Sequence, residues 1–221
     1  MILRQAQEGR PLLITDCDEV LLHMVKHFRD WLDEHHDIDF RIGAGDFQKS
    51  MQRRSGAGPL QQEEMWALLH GFFPSEMERQ TLVPHAAEAL AALAEQADIV
   101  VLTNLADDCQ KPRLEQLSRH GINHRVVCNQ GGKGTPVAAL VEEFAPSVTV
   151  FVDDLPVHHT SVAKYAPAVH RLHMVSEPEL AVAMPPDADA HARIDDWREA
   201  QAWIAARFAA GQPANTEKED A

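Results

Sequence analysis

Acidic side chains follow directly after short apolar runs at two places in the sequence. Asp16 and Asp18 follow the run LLIT, and Asp153 and Asp154 follow VTVFV. Close carboxylates repel one another, so they need protons or a cation nearby. A set of oxygen donors without histidine or cysteine suits a hard cation, and Mg²⁺ combines one or two carboxylates with water and substrate phosphate. These residues therefore point to magnesium and phosphate chemistry.

A hydroxyl and an ammonium group accompany these acids. Thr103 and Asn104 end a third apolar run, VVLTN, and Lys133 lies in the stretch GGKG. Thr103 and Lys133 can donate hydrogen bonds to an oxyanion or a phosphate. Asp16 and Asp18 are two residues apart and share a face if the chain stays extended. One carboxylate could then attack as a nucleophile while the other transfers protons.

The elements that must position these side chains are predicted from the apolar pattern. The apolar runs are nearly continuous rather than alternating, which is typical of strands buried on both faces of a parallel sheet. Five strands are predicted, at Leu12–Thr15, Asp98–Thr103, Arg125–Cys128, Val148–Val152 and Ala168–Leu172. Helical segments alternate with the later strands, at Pro84–Gln96, Asp107–His120, Gly134–Phe144 and Pro156–Tyr165. This alternation predicts an α/β fold with a doubly wound parallel sheet, in which ligands bind at the carboxyl ends of the strands.

The segment between the first two strands breaks this rhythm. No convincing strand is predicted from Leu21 to about Gln80, and helices are predicted over Leu21–His36 and Leu60–Phe73. We therefore expect residues 1–20 and 81–210 to form the α/β core, and residues 21–80 to form a small, mostly helical insertion. The polar residues 211–221 are expected to be a disordered tail.

The composition excludes several classes of protein. The 221 residues include 20 Lys and Arg against 34 Asp and Glu, a net charge of −14, which argues against binding to nucleic acid or an anionic membrane surface. The three cysteines are widely spaced, which excludes a disulfide scaffold and fits a reducing compartment. No apolar run is long enough to span a bilayer, and the first residues lack the core of a signal peptide. A cytoplasmic location is expected.

Four motifs together resemble the haloacid-dehalogenase (HAD) superfamily. DCDEV at Asp16–Val20 is similar to its first motif, VVLTN to its second, GGKG to its third and VFVDD at Val150–Asp154 to its fourth. The segment leading into VVLTN also resembles that of phosphoglycolate-phosphatase-like members. The resemblance covers roughly residues 10–175, and the motifs occur in the family's order.

This resemblance implies a role for each residue. Asp16 would be the nucleophile that takes the phosphoryl group, and Asp18 the acid and base. Thr103 would hydrogen-bond the phosphoryl group beside Asn104, and Lys133 would neutralise charge. Mg²⁺ would be held by the Asp16 carboxylate, the Asp18 backbone carbonyl, and a carboxylate of the last acidic pair, Asp153 or Asp154. The insertion would be a helical cap that excludes water and selects the substrate.

The sequence departs from the common family pattern in three places. Glu19 stands where a small glycine is frequent, and Pro84-His85 replaces a frequent Pro-Gly pair. The insertion is also short for a helical cap. All three departures leave the catalytic side chains in place. Glu19 adds charge near the site, and the other two concern the geometry of the cap and the class of substrate.

Each candidate residue also has a structural interpretation. The acids could cap turns or helices, Thr103 could be an ordinary strand-end hydroxyl, and Lys133 a solvated loop lysine. The basic pair Arg53 and Arg54 is either a solvated loop or a cap element that binds substrate anions. His23 and His27 are four residues apart, but the sequence shows no third zinc ligand. His158 and His159 follow the acidic pair and could border the pocket.

The sequence thus predicts a Mg²⁺-dependent phosphatase that acts on a small phosphorylated metabolite. A phosphomutase of the same superfamily shares these motifs, and a non-catalytic binding or regulatory protein could retain the fold. A 2-haloacid dehalogenase is disfavoured because Asp18 and the metal-binding acids would have no role there. The sequence does not indicate the substrate, the pathway or the oligomeric state.

Overall fold

A computed structural model of the protein describes residues 9–42, 49–56, 58 and 60–215. Its strands are β1 Leu12–Thr15, β2 Leu22–His23, β3 Ile38–Phe40, β4 Met51–Arg53, β5 Thr81–Leu82, β6 Asp98–Thr103, β7 Arg125–Cys128, β8 Thr149–Asp153, β9 His170–His173 and β10 Ala192–Arg193. Its α-helices are α1 Val25–His36, α2 Gln62–Glu76, α3 Ala86–Leu93, α4 Gln110–Arg119, α5 Gly134–Phe144, α6 Pro156–Tyr165, α7 Pro178–Ala183 and α8 Trp197–Ala210. Among these helices, none is both long and apolar enough to cross a membrane.

A six-stranded parallel sheet forms the centre of the molecule. Its strand order is β10-β9-β8-β1-β6-β7, so β1 lies between β6 and β8. Successive residues of β1 face opposite layers. Leu13 joins the apolar cluster that includes residues of α3, α4 and α8, whereas Leu12 and Ile14 join the cluster with α5 and α6. The predicted doubly wound α/β sheet is confirmed, with its two helical layers.

The boundaries of several core elements are shifted from the prediction. The fourth predicted strand is observed at Thr149–Asp153 and the fifth at His170–His173, shifts of one and two residues at their starts. The helix predicted at Pro84–Gln96 is shorter, at Ala86–Leu93, and the helix predicted at Asp107–His120 begins with a 3-10 turn. Such differences arise because burial, rather than a local sequence signal, decides where the sheet ladder stops.

The segment between β1 and β5 contains short strands as well as helices, so the expectation of no strand there is wrong. Leu22–His23 pairs antiparallel with Thr81–Leu82, and Ile38–Phe40 pairs antiparallel with Met51–Arg53. The predicted helix at Leu21–His36 therefore starts only at Val25. These strands are two or three residues long, and their pairing depends on residues distant in sequence, which local periodicity does not register.

The inserted segment, residues 21–80, has its own apolar cluster. Phe28 of α1 contacts Phe72 of α2 edge-on at 5.4 Å between ring centroids, and its ring also stacks at 5.9 Å with Trp31. Leu105 and Cys109, which follow β6, are buried in the same cluster. The inserted segment therefore packs against the chain that follows the second strand of the core.

The chain after β9 adds elements that were not predicted. Trp197 begins α8, is fully buried, and donates from Nε1 to the Val20 carbonyl at 2.7 Å. Beyond α8, the Ala214 N–H donates to the Ala168 carbonyl at 2.9 Å, and the Ala214 side chain is buried. Ala214 of the expected disordered tail thus packs on the core, while its described neighbours in 211–215 are exposed. Residues 216–221 lie outside the described residues.

Helices α5 and α6 approach closely at Gly134. A Cβ atom added there would lie 2.7 Å from the carbonyl carbon of Ser161 and 2.7 Å from Cδ2 of Tyr165. Contacts this short do not occur in packed proteins, so only glycine fits without moving the helices. Since Lys133 directly precedes Gly134, this close approach also fixes the start of α5 beneath the sheet edge.

We predict that Gly134→Ala lowers the free energy of unfolding by about 1–3 kcal/mol, because the added methyl group overpacks the α5–α6 contact. Denaturant unfolding of the purified variant measures this. Gly71→Ala on α2 is the matched control, since its added Cβ meets only Trp31 at 3.9 Å. It should be neutral or stabilise by up to about 1 kcal/mol. Equal stability of the two variants would contradict the packing argument.

Candidate phosphoryl-transfer site

The register of the sheet brings the first and last acidic motifs together. Thr15 is paired with Val152, and the Asp16 N–H donates to the Val152 carbonyl at 2.8 Å. Asp16 therefore follows β1 at the level where Asp153 ends β8. Because both strands are parallel, their carboxyl ends lie at one edge of the sheet, and both side chains are buried there.

Lys133 lies between these two carboxylates. Its Nζ is 2.7 Å from Asp16 Oδ1 and 2.7 Å from Asp153 Oδ2, and the side chain is fully buried. Burial alone would lower the pKa of Lys133, but the two carboxylates outweigh burial and raise it above its usual value. Burial alone would raise the pKa of Asp153, but the lysine ammonium holds it below its usual value. Lys133 is therefore a permanent cation at this edge.

Asp154 completes a cluster of three buried carboxylates. One oxygen from each of Asp16, Asp153 and Asp154 lies within 4.8 Å of the others. Burial raises the pKa of Asp16 to about 7, with Lys133 opposing the rise and Asp153 adding to it. The pKa of Asp154 is raised well above its usual value by burial and then by the neighbouring acids. One ammonium does not balance three buried carboxylates, and an all-oxygen donor set of this kind fits a divalent cation.

The Asp18 side chain does not join this cluster. Arg113 of α4 donates from Nη2 to both Asp18 oxygens, at 3.0 and 3.1 Å, and Gln80 donates from Nε2 to Oδ1 at 2.6 Å. Thr103 Oγ1 lies 3.5 Å from Asp18 Oδ2, at the outer limit for a hydrogen bond. The structure thus places Thr103 beside Asp18, and the Asp18 carboxylate toward α4.

Arg113 is a site residue that the sequence analysis missed. It is fully buried, and its Nη1 donates to Gln80 and Gln116 at 2.9 Å each. Gln116 in turn donates to the carbonyl of Met77, near the end of the inserted segment. A signal was available, because Arg113 lies one helical turn before the buried Leu117 and so falls on the buried face of α4.

Glu19 and His85 occupy two of the positions at which the sequence departs from the family pattern. Both have positive φ angles, 60° and 66°, in the left-handed region that glycine adopts without strain. Glu19 is buried, and its Oε1 accepts from the N–H groups of Met24 and Val25 at 2.7 and 2.6 Å. Burial raises the pKa of this carboxyl to about 7, and the two backbone donors oppose the rise. Glu19 therefore caps the amino end of α1, a function that glycine could not supply.

Asn104 lies next to His158, a histidine that the sequence analysis described as a possible border of the pocket. Its Nδ2 donates to the Gly131 carbonyl at 3.0 Å and lies 3.3 Å from His158 Nε2. Asn129 donates to the Asn104 side-chain carbonyl at 2.8 Å. Burial lowers the pKa of His158 to about 4, so this imidazole is neutral. These groups fix Asn104 beside the loop that carries Lys133.

The two arginines of the inserted segment have acidic partners. Arg53 is ion-paired with Glu64, and Arg54 with Asp33. All four side chains are at least one-third exposed, as is usual for surface pairs of small energetic weight. Contact of Arg53 and Arg54 with a substrate stays a prediction.

Comparisons with known proteins identify the fold. No family model and no curated protein sequence matches the chain. Solved structures do match, all at low identity. A candidate HAD hydrolase from Bacillus subtilis, bound to magnesium, has a TM-score of 0.60 at 15% identity, over 90% of this chain and 99% of that one. A predicted phosphoglycolate phosphatase from Haemophilus somnus has a TM-score of 0.56 at 17% identity, over 87% of this chain and 96% of that one.

A candidate β-phosphoglucomutase from Thermotoga maritima also matches, with a TM-score of 0.56 at 14% identity, over 89% of this chain and 99% of that one. The chain therefore has the fold of HAD-superfamily hydrolases along nearly its whole length. This similarity confirms the fold that the four motifs implied.

The buried Arg113–Asp18 pair gives a stability prediction. Arg113→Met should lower the free energy of unfolding by about 3 kcal/mol, because it leaves a largely buried carboxylate without its cation. Arg119→Met is the matched control on the same helix, since the Arg119–Glu78 pair is exposed. That variant should change stability by less than about 1 kcal/mol. Denaturant unfolding of both variants measures the difference, and equal losses would mean that Arg113 contributes no more than a surface charge.

Proposed function

We propose that the protein is a Mg²⁺-dependent phosphatase that hydrolyses small phosphate monoesters through a phospho-aspartyl intermediate. The observation that carries this proposal is the buried Asp16 carboxylate, held at 2.7 Å by Lys133 beside Asp153 and Asp154. A carboxylate fixed by an ammonium group, at the edge of a parallel sheet where ligands bind, is suited to nucleophilic attack on phosphorus.

The first half-reaction forms the acyl phosphate. An oxygen of Asp16 attacks phosphorus in line with the leaving oxygen, and the bond from phosphorus to that oxygen breaks. Asp18 gives its proton to the departing alkoxide, so the product leaves as an alcohol. Lys133 and Thr103 donate to phosphoryl oxygens and offset the negative charge that develops on them.

The second half-reaction releases phosphate. Asp18, now a carboxylate, takes a proton from a water molecule as its oxygen attacks phosphorus. The bond between phosphorus and Asp16 breaks, and the Asp16 carboxylate is restored. Arg113 donates to both oxygens of Asp18 and Gln80 donates to Oδ1, and these contacts would fix the position of the Asp18 carboxyl group.

The donor set also suggests which acid of the final pair binds the cation directly. Both oxygens of Asp153 are engaged, Oδ2 by Lys133 at 2.7 Å and Oδ1 by the Leu155 N–H at 2.9 Å. We therefore assign direct ligation to the carboxylates of Asp16 and Asp154 and to the Asp18 backbone carbonyl, with Asp153 as the partner of Lys133. When bound, Mg²⁺ would neutralise phosphate charge and so reduce its repulsion of the nucleophile.

The inserted segment would act as the cap over this site. It contacts the core through α1, whose Arg29 Nη1 is 3.2 Å from Oε1 of Glu179 in α7, and through the hydrogen bond from Gln116 to the Met77 carbonyl. Residues 1–20 and 81–210 would then form the catalytic core. Closure of the cap would exclude bulk water, and Arg53 and Arg54 would bind a remote anionic or polar group of the substrate.

A phosphomutase is the second candidate, favoured by the fold similarity to the Thermotoga maritima protein. Both reactions would use Asp16 and Asp18 in the same first step. They differ in what accepts the phosphoryl group, since a mutase excludes water and returns the group to a sugar hydroxyl. A non-catalytic protein would show neither reaction.

We predict that Asp16→Asn lowers phosphate release by at least about a thousandfold, because an amide does not attack phosphorus. The assay measures phosphate release from p-nitrophenyl phosphate and from a panel of phosphorylated metabolites with Mg²⁺. Asp37→Asn is the control, since Asp37 is exposed, has a left-handed φ of 54° that asparagine tolerates, and should keep full activity. Near-normal turnover by Asp16→Asn would contradict the nucleophile assignment. Isomerised sugar phosphate without phosphate release would identify the mutase.

We also predict that chelation with EDTA abolishes phosphate release and that Mg²⁺ restores it. Ca²⁺ should restore little activity, because its larger and looser coordination shell misplaces the nucleophile. Asp154→Asn should raise the Mg²⁺ concentration needed for half-maximal activity by at least about tenfold. Full activity after exhaustive chelation would remove the cation from the mechanism.

A further inference from the structure

We propose that two buried histidines, His159 and His173, are positioning residues that hold the backbone of the Asp153–Asp154 pair and thereby set the affinity of the site for its cation. This inference rests on the cation site of the proposed function. It concerns the backbone carbonyl groups of Asp153 and Asp154, and it assigns a role at the site to two residues that lie outside the four motifs.

The two histidines contact the two acids in parallel. His159 Nε2 lies 3.0 Å from the Asp153 carbonyl, and His173 Nε2 lies 2.9 Å from the Asp154 carbonyl. Neither histidine is exposed to solvent, and their ring centroids are 5.3 Å apart. Consecutive carbonyl groups are thus each held by an imidazole, and the imidazoles pack against each other.

The direction of these hydrogen bonds follows from their partners. A carbonyl oxygen only accepts, so each Nε2 must carry a hydrogen. The other nitrogen of His173, Nδ1, accepts from the Asp187 N–H at 3.2 Å, and Arg193 Nη1 lies 3.3 Å from Nδ1 and 3.5 Å from Nε2. The Asp187 N–H requires a lone pair on Nδ1. His173 is therefore the neutral Nε2–H tautomer, locked from both sides.

The two histidine–carbonyl contacts lie at the end of β8, where the hydrogen bonds of the sheet end. Asp153 is the last residue of β8, and its carbonyl also accepts from the Met174 N–H at 3.0 Å. Asp154 lies one residue beyond the strand, so it is outside the regular ladder. The His173 bond replaces the ladder at that point and fixes the peptide from which the Asp154 carboxylate projects. Displacement of this peptide would move a cation ligand, and such supporting contacts typically change metal affinity 10–100-fold.

A matched pair of substitutions separates this role from packing. In His173→Gln the amide nitrogen can occupy the place of Nε2 and donate to the Asp154 carbonyl. In His173→Asn the shorter side chain can accept from the Asp187 N–H but does not reach that carbonyl. Isothermal titration calorimetry of the full chain with Mg²⁺ alone, without substrate, measures affinity directly. We expect His173→Asn to weaken Mg²⁺ binding about tenfold and His173→Gln to remain within about threefold of the wild type.

His159→Asn and His159→Gln repeat the comparison at the other carbonyl, and they keep the test open if one His173 variant does not fold. The control is His170→Asn on the same strand, β9. His170 Nε2 lies 2.9 Å from the Gln212 carbonyl, so the variant removes a bond of the same type at the opposite end of the strand. Thermal unfolding establishes that each variant is folded, and His170→Asn should bind Mg²⁺ like the wild type.

Four outcomes would overturn the inference. Folded His173→Asn and His159→Asn that bind Mg²⁺ like the wild type would show that the histidines do not position the ligands. Equal losses in the Gln and Asn variants would assign them to packing alone. If the wild type bound no Mg²⁺, the inference and the proposed cation site would both fail. If the wild type bound Mg²⁺ and only Asp154→Asn lost it, the cation site would stand without this inference.

Discussion

The site depends on one buried ammonium group among three buried carboxylates. Lys133 Nζ lies 2.7 Å from an oxygen of Asp16 and 2.7 Å from an oxygen of Asp153, and the third carboxylate, Asp154, lies in the same buried cluster. Charges in such a place are tolerated only when they are paired. The close approach of α5 and α6 at Gly134 fixes the start of α5, where Lys133 lies, and the parallel register brings the two acidic strand ends together. The three carboxylates outnumber the one ammonium group, and this excess of negative charge is suited to a divalent cation.

The motif DCDE illustrates how one short segment serves several parts of the molecule. Its three acids have three different partners. Asp16 is held by Lys133, Asp18 by Arg113 of α4, and Glu19 by the backbone N–H groups that begin α1. The left-handed backbone at Glu19 directs this residue away from the two aspartates and toward the inserted segment. The residues nearest the chemistry thus also connect the core to the helices that would cover it.

The inserted segment combines a separate apolar cluster with polar connections to the core. Its aromatic residues pack on one another and on the chain after β6. Gln80 donates directly to Asp18, and the Met77 carbonyl is connected to Asp18 through Gln116 and Arg113. A displacement of this segment would therefore change the position of the Asp18 side chain through these hydrogen bonds. The inserted segment and the Asp18 carboxylate are thus joined by one hydrogen-bonded chain.

The sequence by itself determined the parallel sheet, its main strands and helices, and the motifs at the strand ends, because buried strands and amphipathic helices leave local patterns. Helix α5 was predicted to the residue, since glycine and lysine mark its start. The position of Arg113 on the buried face of α4 could be found from the sequence, but its contact with Asp18 could not. Nor could the sequence indicate the carbonyl contacts of His159 and His173, or the pairing of β2 with β5 and of β3 with β4. These hydrogen bonds and strand pairings join residues that are far apart in the chain. They form where burial keeps water from binding the same donors and acceptors. Tertiary structure alone decided these contacts and pairings, because the residue type does not show whether an arginine or histidine side chain is solvated or is buried against a carboxylate or a carbonyl.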